Sequence, residues 1–171
     1  MDTVIKDTNV LLDLYNTGLI RHCHKLGITF YTTNHIINEI LDSEQWHFYE
    51  QFIADGFLKV YNYEGMHLIE LLTESARYKT FCNLSQADCS VMLLADQFKC
   101  RLLTSDQRLR KQAEKRGIQV NGILWIVQQL VDSRIVSPGE MIGYLNRYIE
   151  TNSSAPVPQI KELISIYKQK A

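Results

Sequence analysis

The chain has 171 residues, a formal net charge of −1, 46% hydrophobic residues and 22% charged ones. That length bounds it to one domain with room for an appendage, and a chain of this size buries roughly 70% of its unfolded surface without staples. The near-neutral balance gives no global pull toward nucleic acid or membrane, no stretch approaches the roughly 20 apolar residues of a membrane span, and no apolar signal core follows the N-terminus. The expected setting is cytoplasmic, with Cys23, Cys82, Cys89 and Cys100 as reduced thiols that show no C-x-x-C spacing.

Thr3 to Lys6 is a short β-type run that stops at Asp7, after which Val10, Leu11 and Leu14 share one helical face. Asn16-Thr17-Gly18 breaks the pattern, Leu19 to Leu26 reads as a second helix, and Gly27 is placed to end it. Ile28 to Tyr31 is a buried strand, and Thr32-Thr33-Asn34 supplies caps for a helix over about His35 to Leu41 that carries Glu39. A helix from about Glu44 to Ala54 leads to a third strand, Phe57 to Tyr61. The next helix, about Gly65 to Lys79, places Met66, Ile69, Leu72 and Ala76 at helical spacing. Leu84-Ser85-Gln86-Ala87-Asp88 opens a strongly periodic helix with Ala87, Val91, Leu94, Ala95 and Phe98 on one side.

Arg101 to Thr104 is a strand that ends just before Asp106, a basic helix runs on to Arg116, and Ile118 to Val120 is a last short strand. Gly122 separates it from an apolar helix, Ile123 to Val131, and Ser137-Pro138 starts another. Beyond the linker-like run Thr151 to Pro156, Ile160, Leu163, Ile164 and Tyr167 form a terminal amphipathic helix. Strands alternating with helices, without hairpin dipeptides, predict a parallel sheet covered on both faces.

Asp7 and Asp106 both follow strands directly, so a parallel sheet projects both from its carboxyl edge, where ligands bind in open α/β folds. The same topology returns the helix start at Asp88 to that edge, and Glu39 lies within reach of it. Each acid also has a plain capping or solvated explanation, a cap being worth about 1 kcal/mol. Gathered together, carboxylates repel by roughly 4 kcal/mol per pair at about 4 Å and an effective dielectric near 20, which outweighs helix dipoles and calls for a cation. Carboxylate oxygens without nearby Cys or His favour Mg²⁺ or Mn²⁺, and such an ion at a sheet edge suits phosphodiester hydrolysis.

The pattern resembles the PIN-domain nucleases over roughly residues 1 to 130. The resemblance rests on Asp7-Thr8-Asn9-Val10-Leu11, on Ile36-Ile37-Asn38-Glu39-Ile40, on Leu84-Ser85-Gln86-Ala87-Asp88 and on Leu103-Thr104-Ser105-Asp106-Gln107-Arg108-Leu109. It places the family's acidic quartet on Asp7, Glu39, Asp88 and Asp106, and its polar helpers on Asn9 and Thr104. It is similar above all to the VapC-type toxin ribonucleases and their bacterial relatives, which implies Mg²⁺- or Mn²⁺-dependent cleavage of RNA and an antitoxin protein as partner. The fold so implied is a three-layer α/β/α sandwich with a parallel sheet over residues 1–136, followed by a helical extension over 137–171. That tail is longer than a minimal toxin of this kind needs.

In the basic helix, Arg108 is the residue placed to contact RNA, being nearest Asp106, whereas Arg110 pairs with Glu114 on a solvated face. His22-Cys23-His24 and the His67, Glu70, Glu74 face lack the partners that a metal site needs. The terminal helix either packs on its own domain or builds a homodimer or receives a partner, and a homodimer is the expected assembly. The rival expectation is a catalytically silent PIN-like module that binds RNA or protein.

Overall fold

The computed structural model describes residues 3–170. Its first half runs β1 (Thr3–Lys6), α1 (Thr8–Thr17), α2 (Ile20–Cys23) with a 3₁₀ turn (His24–Leu26), β2 (Thr29–Thr33), α3 (Asn34–Ile37), α4 (Ser43–Ala54), β3 (Leu58–Tyr61) and α5 (Gly65–Cys82). The second half runs α6 (Gln86–Phe98), β4 (Arg101–Leu103), α7 (Gln107–Lys115), β5 (Val120–Asn121), α8 (Ile123–Asp132), α9 (Pro138–Thr151) and α10 (Val157–Lys170). Gly18 and Gly27, at φ 80° and 65°, end α1 and the 3₁₀ turn in the left-handed conformation that a side chain would strain.

The strands form one parallel sheet in the order β3-β2-β1-β4-β5. The chain steps outward from β1 through β2 to β3, then crosses back to place β4 on the other side of β1. The switch point of the sheet therefore lies at β1, and in open α/β folds ligands bind outside the carboxyl ends at such a point. Alternation along the strands separates two helical layers. Lys6 and Phe30 point to one face, into a space lined by Leu11, Ile20, Cys23 and Phe52 from α1, α2 and α4. Tyr31 points to the other, where it meets Phe98 of α6 edge-on at 5.3 Å. The expected three-layer α/β/α sandwich is the observed architecture.

Two local expectations change. The helix expected to reach Leu41 stops at Ile37, so Glu39 stands in the turn that follows α3, and Leu41 is 92% exposed. The cause is local: four residues satisfy the buried pair Ile36 and Ile37, and the amides of Asn38, Glu39 and Ile40 close the turn on carbonyls of α3. The second change concerns α5, which turns Leu71 and Ser75 into the core and leaves Met66, Ile69, Leu72 and Ala76 exposed.

The terminal helices fold back on the domain. Ile160 and Tyr167 of α10 are buried, and α9 packs on α1. There the buried Asp13 carboxylate accepts hydrogen bonds from the Tyr148 hydroxyl at 3.0 Å and the Asn152 amide at 2.8 Å. Burial pushes the Asp13 carboxyl above its usual range, and these two donors pull it back.

Candidate functional site

The pairing of Lys6 with Leu103 sets the candidate site, because it brings the next residues of β1 and β4, Asp7 and Thr104, side by side. The ladder continues one step further through the Asp7 amide, which donates to the Leu103 carbonyl at 3.0 Å. Thr104 is fully buried and Asp7 only 2% exposed. The Thr104 hydroxyl donates its proton to Asp7 Oδ2 at 2.7 Å and accepts the Asp106 amide at 3.0 Å. One hydroxyl thus joins both strand-following aspartates at the switch point.

The two acids are used differently. Asp106 caps α7, its Oδ1 accepting the amides of Arg108 at 2.7 Å and Leu109 at 2.8 Å. Asp7 occupies the N-cap position of α1 but makes no side-chain cap bond to that helix. Its carboxylate is directed instead to Thr104, so capping does not account for its presence. Asp88 completes a reciprocal capping box: Oδ2 accepts the Ser85 amide at 2.8 Å, while the Asp88 amide donates to Ser85 Oγ at 3.0 Å. Glu39 is exposed, as is Asn9 in the first turn of α1. The structure therefore links Asp7, Thr104 and Asp106 directly.

Carboxylate and hydroxyl oxygens are the donors that hard divalent cations take. Among the described residues, no three His, Cys, Asp or Glu side chains gather at a spacing that holds a metal ion.

Several residues around the site escaped sequence reasoning. Lys6, next to Asp7, is buried with its ammonium 3.7 Å from the centre of the Phe30 ring, and desolvation lowers its pKa to about 8. Thr32 donates to the Lys6 carbonyl at 3.1 Å, and Thr33 shares a 2.6 Å hydrogen bond with Ser90 of α6. These bonds tie the ends of β1 and β2 to the helix that carries Asp88. The Thr32-Thr33 pair was visible in the sequence only as capping material.

Arg110 does pair with Glu114, at 3.7 Å, but its guanidinium also donates to the backbone carbonyls of Val120 and Thr104 at 3.1 and 3.2 Å, holding the loop after β4. Arg116 donates to Glu74, Asp96 and Tyr78, which clamps the end of α7 to α5 and α6. Arg108 keeps a side chain 57% exposed beside Asp106 Oδ2 at 3.5 Å. His22 donates to or accepts from Tyr144 at 2.9 Å and Cys23 is buried, while all four cysteines are free thiols. No helix among the described residues is long and apolar enough to cross a membrane.

Comparison with known proteins agrees with this architecture. The crystal structure of PAE2754 from Pyrobaculum aerophilum superposes with a TM-score of 0.51 at 16% identity, covering 77% of this chain and 98% of that one, which shows a shared fold. Two others align more loosely: FitAcB from Neisseria gonorrhoeae, with a TM-score of 0.43 at 11% identity over 68% and 95% of the two chains, and a PilT N-terminus domain protein, SSO1118, from Sulfolobus solfataricus P2, with 0.44 at 12% over 77% and 92%. No curated protein matches the chain. The model of the family DUF3368, a PIN domain, matches residues 3–166. With a match across nearly the whole chain and a parallel sheet whose carboxyl edge joins Asp7 to Asp106, the chain belongs to the PIN-domain family, whose fold is a nuclease fold.

Proposed function

We propose that this protein is an endoribonuclease that hydrolyses RNA phosphodiester bonds with Mg²⁺ or Mn²⁺, and that it serves as the cytoplasmic toxin of a bacterial toxin–antitoxin pair, restrained by an antitoxin protein. The observation that carries the reading is Asp7, a buried carboxylate at the switch point that accepts the Thr104 hydroxyl, which in turn accepts the Asp106 amide. Asp7, Glu39, Asp88 and Asp106 are the acids assigned to the ion, Asn9 and Thr104 their polar supports, and Arg108 the contact to an RNA phosphate. Three of these acids reach one ion only if at least one side chain leaves its present position. The helices beyond Val136 are read as an extension packed on the nuclease domain.

Purified protein with Mn²⁺ and mixed RNA tests the activity. Cleavage that disappears in Asp7→Asn and Asp88→Asn, together with Mn²⁺ binding by calorimetry that weakens in the same variants, supports the reading. A clean preparation that does not cut, or cuts equally well in both variants, refutes it. The use of Asp88 and Asp106 as caps favours one rival, a silent PIN module. That rival predicts RNA or protein binding that is indifferent to Mn²⁺ and to Asp7→Asn.

A further inference from the structure

Arg77, Arg101, Arg108, Arg110 and Arg116 each hold a partner within the chain: Glu74, Asn121, Asp106, Glu114 and the pair Glu74 and Asp96. Arg21 of α2 and Arg147 of α9 are exposed and, among the described residues, form no ion pair or side-chain hydrogen bond. Both line one cavity of about 430 Å³ where α1, α2, α4 and α9 meet. Its other walls are rings: Tyr15 and Phe48, edge to face at 4.9 Å, and Tyr144. Tyr144 is fixed by His22, whose Nε2 shares a 2.9 Å hydrogen bond with its hydroxyl. A Cβ on Gly18 would lie 3.8 Å from both Arg147 Nη1 and Tyr144 Cε1, so guanidinium and ring both border the bare backbone there.

Among the described residues, no carboxylate lines this cavity. Asp13 of α1 is engaged by Tyr148 and Asn152, and Glu140 of α9 closes a capping box with Ser137. The surrounding charge is positive: burial first, then Lys25, His24 and Arg21, hold the His22 ring below its ordinary pKa, with Glu140 alone acting against them. Offsetting the dipole at the carboxyl end of α1 would account for Arg147, but not for Arg21 or the rings. We infer that the cavity binds a nucleotide, its phosphate held between Arg21 and Arg147 and its base laid against the aromatic walls. Guanidinium groups match phosphate oxygens in pairs, and an aromatic ring stacks a base of any identity. The volume falls within the roughly 300–1,000 Å³ of small-molecule sites. A sugar phosphate would use the arginines and leave the rings without a partner. The ten residues of α1 span about 15 Å, so the cavity lies at the far end of that helix from Asp7 and is separate from the acids of the sheet edge. A free mononucleotide and the terminal nucleotide of an RNA strand offer the same chemistry.

The inference stands apart from the nuclease reading, because it is read as binding by protein freed of divalent cations. Calorimetry of the full chain is expected to show 5′-AMP binding at one site, about tenfold or more tighter than adenosine or inorganic phosphate. Arg21→Gln and Arg147→Gln each weaken AMP by about tenfold at unchanged Tm, since both side chains are exposed. Arg77→Gln removes the same charge from the opposite helical layer and leaves AMP binding as it is. Tyr144→Ala weakens AMP but not phosphate. A 5′-phosphorylated oligoribonucleotide that displaces AMP, where its 5′-hydroxyl counterpart does not, supports the site with the strand end as its source. AMP that stays bound against both oligonucleotides supports it with the free nucleotide as source. No saturable AMP binding, equal affinity for AMP and phosphate, or a loss that Arg77→Gln matches overturns the inference.

Discussion

Thr104→Val replaces a hydroxyl by a methyl group of the same shape at a fully buried position. Asp7 Oδ2 loses its 2.7 Å donor and the Asp106 amide its 3.0 Å acceptor. Because Asp7 is 2% exposed, water does not replace the first bond, and a charge-assisted bond removed in that setting costs about 1.5–3 kcal/mol. Asp106 is partly exposed, so its amide recovers a water and adds on the order of 1 kcal/mol or less. The expected loss is about 3 kcal/mol, a large share of the 5–15 kcal/mol that holds a typical domain, and it lowers Tm by about 6–12 °C at this chain length. Urea denaturation followed by fluorescence should show the midpoint falling at constant m. Thr104→Ser keeps the hydroxyl and loses only a methyl, so it should cost about 1 kcal/mol. A valine variant within about 1 kcal/mol of wild type, or a serine variant as damaged as the valine one, would refute the claim that the hydroxyl binds both acids.

Three further outcomes follow from the same geometry. Lys6 titrates in the folded chain near pH 8 rather than 10.5, so between those values the unfolded chain holds more protons and stability rises with pH. Its charged amine costs about 3 kcal/mol below that window, and Lys6→Met should be more stable at pH 7 with the advantage fading by pH 10; an advantage that stays constant over that range contradicts this account. Tyr148→Phe removes one donor from Asp13, whose carboxyl is already raised by burial. A raised carboxyl pKa means stability that is present at low pH and lost as pH rises through the folded value, so the variant should lose about 1.5–3 kcal/mol at pH 7 and less at mildly acidic pH by urea titration. Equal losses at both pH values would remove Asp13 as the cause. Arg108→Ala, measured by RNA binding against salt, should weaken binding uniformly across sequences and reduce the salt slope by about one, and an unchanged slope would place Arg108 outside the RNA contact.

Periodicity carried the strands, their parallel arrangement and most helices, because apolar spacing and glycine stops are local signals. It identified the stripe on α5 correctly as a helical face but could not say which face is buried. The answer depends on α6, against which Leu71 and Ser75 are packed, while Met66, Ile69 and Leu72 face outward. The end of α3 was hidden for a related reason. Ile36, Ile37, Ile40 and Leu41 have helical spacing, yet the chain turns at Asn38 and leaves Leu41 in solvent. Arg110 and Arg116 were legible as charges but not as clamps, since their carbonyl and carboxylate partners come from elements distant in sequence.

The acids at the sheet edge were hard to weigh in the sequence because a strand exit, a helix start and a ligand-binding edge coincide in this fold. A carboxylate there satisfies free amides of a helix whether or not it does chemistry, and Asp106 and Asp88 do satisfy them. Asp7 breaks that equivalence. It has the position and backbone of an N-cap, with φ −81° and ψ 161°, and yet its side chain makes no cap bond. A residue kept only to cap would be as well served by Asn or Ser, at no cost in buried charge. A carboxylate held at 2% exposure against a threonine hydroxyl carries that cost without a side-chain cap bond to its helix. The residue that opens the first helix is thus the one acid of the four that local stability explains least.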